Sequence, residues 1–337
     1  MKKIVTLFLT ATLACFGLAA CSNGSATNES SVEKQTVNVA ALKGPTSMGL
    51  VECMDTAEKD TSASIDYNFE ILGSPDEMVG KITQNSADIA CLPANMASVL
   101  YNKTEGDIEV LGINTLGVLY IVDTNDSVKT VEDLKGKTIY AAGKGATPQY
   151  ALQYILQASG IDPEKDCSIE WKSEHSECVA ALMQNEKAVA LLPQPFVSAA
   201  QVKNDKIHVA IDLNQEWSFL QKLKSSDKNA TPMVTGVVVA HKDFVKEHPE
   251  VIKDFMNRYK KSVDFVNNNV DSAAELIGSY DIVPAPVAKK AIPQCNIVCI
   301  TGSEMKEDLS SYLNELYEQN PKAIGGKLPL DDFYYEG

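Results

Sequence analysis

The sequence predicts an α/β protein of two similar lobes, each a mostly parallel sheet with helices on both faces. From residue 36 onward, β-rich segments alternate with helical ones, as in parallel sheets covered by helices. AALKGPT at 40–46 recurs as AAGKGAT at 141–147, and QNSADIACLPANMAS at 84–98 recurs as QNEKAVALLPQPFVS at 184–198. Two strand–loop–helix segments that repeat at nearly one spacing indicate two lobes with the same plan.

The chain begins with an export signal. Two lysines precede an apolar run over 4–18, which is shorter than the ~20 residues of a membrane-spanning helix. LAAC at 18–21 follows and resembles the lipobox of bacterial lipoproteins, in which the cysteine carries the lipid. We therefore expect a signal peptide over 1–20, lipidation at Cys21 and a flexible polar tether through residue 35. The alternative is an ordinary secretory peptide with an incidental cysteine.

The first lobe begins with three strand–helix units and a fourth strand. Ser74 stands at a cap position before a proline and two acidic residues, which is typical of a helix start. The long apolar segment over 109–123 is typical of a strand that leaves a domain. The predicted strands are 36–42, 67–72, 87–92 and 109–123, and the predicted helices follow at 44–59, 74–85 and 93–103.

The pattern restarts near residue 130 and ends in a helical region. Gly160 follows a helical segment as a C-terminal cap, and Pro249 opens a long helix. Strands are predicted at 138–142, 168–172, 188–192, 207–213 and 234–244, and helices at 147–160, 175–185, 193–203, 249–269 and 302–320. Residues 225–232 form a predicted loop, no element is predicted for 214–224, and the tail from 321 is expected to be irregular.

Charge and cysteines exclude several classes of function. The formal charge is −15, and removal of Lys2 and Lys3 with the signal makes the mature charge −17. Nucleic acid is therefore excluded as a partner, because its recognition needs a basic face. Six cysteines follow Cys21, at 53, 91, 167, 178, 295 and 299. Their disulfide state stays open, and no metal site is expected because their spacing is not that of zinc ligands.

The repeated loops follow strand ends, where open α/β sheets bind ligands. Glycines there let a backbone approach a ligand, and the free N–H groups at helix starts attract anionic or polar groups. Neither loop has the spacing of a phosphate-binding Walker A loop. The alternative is that these residues only form turns and helix caps. Taken together, the four loops predict a ligand cleft that closes between the lobes.

The order of several features resembles a known family. These are the lipobox, the two lobes, DIA before a proline loop at 88–93, DLKGK at 133–137 and HKDFVKEHPEVIKDF at 241–255. Together they resemble ABC transporter substrate-binding lipoproteins with the periplasmic-binding-protein type II fold, in the nitrate/sulfonate/taurine and thiamine-precursor group. The resemblance implies a discontinuous lobe 1 at 36–123 and 234–337, with lobe 2 at 124–233.

The resemblance also implies a function. We expect a monomer on the outer face of the cell membrane that delivers a small molecule to ABC permease and ATPase subunits, without cofactor or metal. The substrate would be a sulfonate- or nitrate-like anion or a pyrimidine-type thiamine precursor. A ligand-sensing surface receptor of the same fold is the alternative. A pyrimidine-synthase-like enzyme is disfavoured, because only four histidines are present and no catalytic constellation stands out.

The expected ligand contacts follow the loops. Lys43 and Lys144 are the candidate cations, although surface lysines are more often simply solvated. The absence of arginine from these loops favours a neutral or zwitterionic heterocycle over a tightly held oxyanion. For His175, ligand contact and helix capping both remain open. The expected contacts are Lys43, Gly44, Thr46, Ser47, Ser74, Asn95, Asn114, Thr115, Lys144, Thr147, His175 and Gln194.

Overall fold

The computed structural model describes residues 34–60, 62–185, 187–224 and 231–337. Its strands are β1 Gln35–Leu42, β2 Ile65–Leu72, β3 Ile89–Pro93, β4 Ile108–Leu116, β5 Leu119–Asp123, β6 Thr138–Ala142, β7 Ser168–Lys172, β8 Val189–Pro193, β9 His208–Asp212, β10 Val234–His241 and β11 Ile297–Ile300. Its helices are α1 Pro45–Met48, α2 Val51–Lys59, α3 Pro75–Thr83, α4 Ala94–Lys103, α5 Thr147–Ala158, α6 His175–Gln184, α7 Phe196–Lys203, α8 Leu213–Lys224, α9 Lys242–Glu247, α10 Pro249–Asn268, α11 Val270–Ser279, α12 Ala285–Ala291 and α13 Gly302–Gln319. The predicted α/β class is confirmed.

The strands form two mixed sheets with the same internal order. The six-stranded sheet runs β11-β4-β10-β3-β1-β2, and the five-stranded sheet runs β7-β6-β8-β5-β9. In the first, β1 to β4 point one way and β10 and β11 the other; in the second, only β5 opposes the rest. The carboxyl ends of four strands therefore lie along one edge of each sheet.

The repeated sequences occupy matching places in the two sheets. Val39 pairs with Ile89 in the first sheet, and Ile139 pairs with Val189 in the second, one hundred positions further along. The loop after β6 is one residue longer than the loop after β1, because Thr46 follows Leu42 by four positions and Thr147 follows Ala142 by five. The spacing of 101 between the repeated loops thus reflects one inserted residue, whereas the strands repeat at 100.

Most predicted helices form, with one break and two additions, α8 and α9; the predicted strand over 234–244 ends at His241, and α9 begins at Lys242. The predicted helix from residue 44 is interrupted at Gly49, where a Cβ would lie only 2.8 Å from the Tyr259 hydroxyl oxygen. Ser74 caps α3, since its hydroxyl accepts the N–H of Glu77 and the Glu77 carboxylate accepts the N–H of Ser74. Helix α8 fills a stretch for which no element was predicted.

The first crossing between the sheets is a short connection at Gly117 and Val118. The predicted long strand over 109–123 is in fact two strands, since Ile108–Leu116 pairs in the six-stranded sheet and Leu119–Asp123 in the five-stranded one. The strand pairing therefore places the change of sheet at residues 117 and 118, whereas the expected first part of lobe 1 ended at residue 123. A single hydrophobic cluster continues through the crossing, from Ile113 to Leu119 and on to Trp217 and Tyr312. The two lobes therefore pack against each other at this junction.

The predicted signal peptide, Cys21 and the predicted tether lie outside the described residues, apart from residues 34 and 35. None of the helices in the described part of the chain has the length and apolar character needed to cross a bilayer.

Candidate functional site

Side chains from both lobes meet where α5 begins. The Thr147 hydroxyl lies 3.5 Å from the Asn95 amide oxygen and accepts a 3.3 Å hydrogen bond from the Tyr312 hydroxyl. Asn95 follows β3 and Tyr312 lies on α13, both beside the six-stranded sheet, whereas Thr147 follows β6 of the other sheet. Asn95 is fixed in turn, because its amide nitrogen donates to the Ala323 carbonyl over 3.3 Å. A polar chain thus joins the strand ends of the two lobes.

A second polar contact between the lobes centres on Gln194, which is fully buried. Its amide nitrogen donates to the Gln294 amide oxygen over 2.7 Å, and its own amide oxygen accepts the Ser198 hydroxyl over 2.9 Å. Gln294 lies just before β11, and its backbone carbonyl accepts the Tyr120 hydroxyl from β5 over 2.8 Å. Gln194 therefore both caps α7 and reaches across to the other lobe.

The loop after β1 bonds mostly to itself. The Thr46 hydroxyl donates to the Leu42 carbonyl over 3.0 Å, and the Ser47 hydroxyl donates to the Gly44 carbonyl over 3.0 Å. Gly44 has a φ of 132°, which an L side chain rarely adopts, so the turn depends on glycine. Thr46 and Ser47 are buried. Their hydroxyl groups stabilise the loop in this arrangement.

Asn114 and Thr115 are fully buried at the end of β4. The Asn114 amide donates to the Val237 carbonyl of β10, and the Thr115 hydroxyl donates to the Asn114 amide oxygen over 2.9 Å. A Cβ on Gly236 would lie 2.4 Å from the Asn114 amide oxygen and 2.5 Å from the Thr46 methyl carbon. Gly236 is therefore what allows Asn114 and Thr46 to come together beneath the loop.

His175 and Ser74 lie at the periphery of this edge. Ser74 serves as the cap of α3 described above. His175 is the first residue of α6, and its ring packs 5.0 Å, centroid to centroid, from the Phe196 ring of α7. Burial lowers the pKa of His175 to about 4, and its Nδ1 atom is buried without a hydrogen-bond partner. Its ring is therefore neutral at physiological pH.

No buried cation lines the junction among the described residues. Lys43 is exposed, and its Nζ atom lies 3.4 Å from the Asp281 Oδ2 atom. Lys144 is exposed as well. Arg258, the single arginine of the chain, lies on the outer helix α10. It pairs with Asp254 over 2.7 Å and packs over the Tyr67 ring of β2. The polar groups of the junction are amides, hydroxyls and backbone groups.

Helix α8 contributes residues that the sequence did not single out. Trp217 is fully buried, packs 5.6 Å from the Tyr312 ring and 4.6 Å from the Tyr154 ring, and its indole N–H has no partner. Asn214, one turn earlier, lies against Gly117, and its amide oxygen is also buried without a partner. The sequence contained one signal for these two residues: an asparagine lies directly behind the end of a predicted strand, and an aromatic residue follows it three positions later.

The described cysteines and acidic groups show no metal-site chemistry. In the described ranges, no group of three or more His, Cys, Asp or Glu side chains is arranged to hold a metal ion. The six described cysteines are free thiols. Burial raises the pKa of Cys53 and Cys91 to about 12 and that of Cys178 to about 11, which disfavours the reactive thiolate.

Two α/β lobes that face each other with their strand ends, around a polar and aromatic junction, define a two-lobed solute-binding protein. The chain belongs to the family described as ABC transporter, phosphonate, periplasmic substrate-binding protein, whose profile matches residues 58–284. It is therefore the substrate-binding component of an ABC transporter, with a small molecule and the transporter as partners, and it is not an enzyme.

The chain is also similar to a sequence relative and to solved structures. A binding protein designated YtlA from Bacillus subtilis is 23% identical over 279 residues, covering 73% of this chain and 80% of that protein. An ABC transporter structure from Parabacteroides distasonis superposes with a TM-score of 0.75 at 21% identity, over 90% of this chain and 99% of that one. The periplasmic aliphatic sulphonate binding protein SsuA from Escherichia coli gives 0.68 at 16% identity, over 90% and 94%. The fold predicted from the sequence resemblance is confirmed.

Proposed function

We propose that this chain captures a small neutral or zwitterionic organic molecule between its lobes, at the strand-end junction formed by Asn95, Thr147, Gln194, Trp217 and Tyr312. One observation carries the proposal: the polar chain of Asn95, Thr147 and Tyr312 joins the two lobes, and the Tyr312 ring packs on a fully buried tryptophan whose N–H has no partner. A buried donor without an acceptor destabilises a protein by ~1–3 kcal/mol. A ligand acceptor that enters between the opened lobes removes that cost.

The chemistry of the junction supports a ligand with both donors and acceptors. The Trp217 N–H needs an acceptor and the Asn214 amide oxygen needs a donor, and the two residues share one face of α8 because they are three positions apart. A cyclic amide or an aminopyrimidine offers both groups on a planar ring that also packs well against aromatic side chains. A sulfonate offers acceptors only and a phosphonate mainly acceptors, and the negative charge of either would meet no buried cation among the described residues there.

We further propose that the protein is exported, lipidated at Cys21 and tethered as a monomer to the outer face of the cell membrane. LAAC at 18–21 and the polar stretch that follows support this. The lobes are proposed to divide at the crossings near residues 117 and 231. Lys43 and Lys144, on the rim, would then be the partners for an anionic ligand if one binds.

A thermal-shift screen followed by calorimetry tests the substrate class. Aminopyrimidines and cyclic amides form one set, and alkylsulfonates, alkylphosphonates and nitrate form the other. We expect saturable stabilisation by a member of the first set, because a ligand that binds only the folded state raises its stability. Saturable binding of an anion alone, lost in Lys43→Ala or Lys144→Ala, would instead assign the site to oxyanions.

A further inference from the structure

A polar cavity lies between the lobes, further along α5 than the strand-end junction. Its volume is about 180 Å³. One wall is the exposed side of α5 and the other is the end of α13. The lining residues are Gln149, Tyr150, Gln153, Gln157, Gln319 and Asn320.

Carboxamides dominate this cavity, and one of them lacks a partner. Gln149, Gln153 and Gln157 are four residues apart and so lie on one face of the helix. The Gln149 amide nitrogen donates to the Gln153 amide oxygen over 3.3 Å. On the opposite wall, the amide nitrogen of Gln319 is buried and has no hydrogen-bond partner. Native proteins nearly always satisfy such a group with protein, water or ligand.

The lining groups fit hydroxyl groups better than ions. Carboxamides and a tyrosine hydroxyl both donate and accept hydrogen bonds and carry no charge, as the hydroxyls of a polyol do. An anion would find no cation in this lining, and a cation would find no carboxylate. The volume corresponds to about six water molecules at ~30 Å³ each, which suits a compact ligand.

We propose that this cavity binds a small uncharged polyol of pentose to hexose size. The proposal goes beyond solute capture at the strand-end junction, because none of the six lining side chains takes part in the Asn95–Thr147–Tyr312 chain or the Gln194–Gln294 contact. Because α5 packs on the five-stranded sheet and α13 on the six-stranded sheet, an occupant contacts both lobes. Polyol binding therefore favours the arrangement in which the lobes are close together.

Calorimetry and saturation-transfer NMR of the purified protein with D-ribose, D-glucose and myo-inositol test this. We expect saturable binding of at least one of the three. Gln153→Leu combined with Gln319→Leu should weaken it at least tenfold, since each substitution removes a hydrogen bond. The single variant Gln157→Leu changes an exposed position and should weaken binding severalfold without a risk to folding.

Two controls separate this site from other effects. Gln201→Leu removes a carboxamide from α7, outside the cavity, and should leave the affinity unchanged. Trp217→Phe alters the proposed solute site and should also leave polyol binding unchanged, so that the two proposals fail independently. Polyols also stabilise proteins by exclusion from the surface, without saturation. The proposal would be overturned if the polyols gave a linear, non-saturating stabilisation and no saturable binding. It would also be overturned if the wild type and the Gln157→Leu variant bound polyol with equal affinity.

Discussion

Thr46 and Thr147 occupy matching positions of the two repeated loops, yet their hydroxyl groups have different partners. The Thr46 hydroxyl donates to Leu42 within its own loop, whereas the Thr147 hydroxyl lies between Asn95 and Tyr312 of the other lobe. The sequence repeat predicted the same role for both residues. The structure separates them, because only the second threonine stands at the contact between lobes.

Replacement of Thr147 by valine should weaken ligand binding and also lower the free energy of unfolding, because the buried Tyr312 hydroxyl loses its acceptor. The change keeps the shape of the side chain and removes one hydroxyl, so binding should weaken about threefold to tenfold, as for a hydrogen bond of ~0.5–1.5 kcal/mol. Thr46→Val should differ in its affinity, which should be unchanged, while the free energy of unfolding falls by ~1 kcal/mol.

Calorimetry and urea unfolding of both variants separate these outcomes. Thr83→Val is a matched control, since the Thr83 hydroxyl bonds only within α3. Lower stability with unchanged affinity in both Thr46→Val and Thr147→Val would show that the two repeated loops are structural only.

His175 should make the protein less stable in mild acid. Its folded-state pKa of about 4 lies below the unfolded value near 6.5, because burial disfavours the charged ring. As the pH falls from 6.5 to 4, the unfolded state takes up a proton that the folded state does not. This difference removes up to roughly 3 kcal/mol of stability, at ~1.4 kcal/mol for each unit between the two pKa values.

The variant His175→Phe isolates this contribution, since other titrating groups are common to both proteins. Urea unfolding at pH 7, 5.5 and 4 should show the variant gaining stability over the wild type as the pH falls. A difference that stays constant over this range would contradict the assignment.

At the scale of elements, the spacing of apolar residues and the helix-capping residues predicted most strands and helices. The sequence did not show which elements and side chains would contact each other. Ser74 was recognisable as a cap because proline and acidic residues follow it. Helix α8 was missed because Phe219 and Leu223 are 57% and 69% exposed, so its apolar residues do not fall on one face. The second repeat, 84–98 with 184–198, has the offset of 100 that the strand pairing shows, and the offset of 101 between the repeated loops reflects one inserted residue after β6.

Trp217 on α8 should be a determinant of ligand affinity rather than of stability. Trp217→Phe keeps an aromatic ring against Tyr154 and Tyr312 but removes the N–H that has no partner. The ligand-free variant loses packing area and also loses the cost of an unsatisfied donor, so its melting temperature should change little. Its ligand affinity should fall about tenfold if the N–H bonds the ligand.

Phe255→Leu is the contrasting substitution, because Phe255 lies on α10 and is fully buried in a different hydrophobic cluster. It should lower the melting temperature and preserve ligand affinity. If Trp217→Phe lowered the melting temperature without weakening ligand binding, Trp217 would contribute to packing only.

At the scale of the whole molecule, the two sheets share one strand order, and β10 and β5 are the antiparallel members at matching places. Because the chain crosses between the lobes before both β5 and β10, each lobe receives its antiparallel strand from a crossing segment. Each crossing thus leads directly into a strand of the lobe that it enters. Motion between the lobes is therefore expected at Gly117 and near residue 231, rather than within a sheet.

The proposed anchor is tested by Cys21→Ala. Without the thiol, no lipid can be attached at this position, so the variant should remain uncleaved or be released into the medium. Metabolic labelling with a fatty-acid analogue, followed by cell fractionation, measures both effects. Cys299→Ala serves as the control, because this residue lies in β11 of the folded protein. Equal incorporation of label in wild type and Cys21→Ala would rule out lipidation at Cys21.

Lobe closure is tested through Gln294, whose side chain contacts Gln194 across the junction at 2.7 Å. Gln294→Ala removes this contact while the backbone carbonyl that accepts the Tyr120 hydroxyl remains. The closed arrangement should lose ~0.5–1.5 kcal/mol relative to the open one. The ligand, once identified, should therefore dissociate about threefold to tenfold faster, and its association rate should change little.

Small-angle scattering of the ligand-free and saturated forms provides the second measurement. The wild type should contract on binding, because a ligand that contacts both lobes favours their closure. Ligand-free Gln294→Ala should be at least as expanded as the ligand-free wild type, and it should contract to the same bound radius. A radius that is unchanged by saturating ligand in the wild type would exclude closure, and an unchanged dissociation rate in the variant would show that Gln194 and Gln294 do not hold the lobes together.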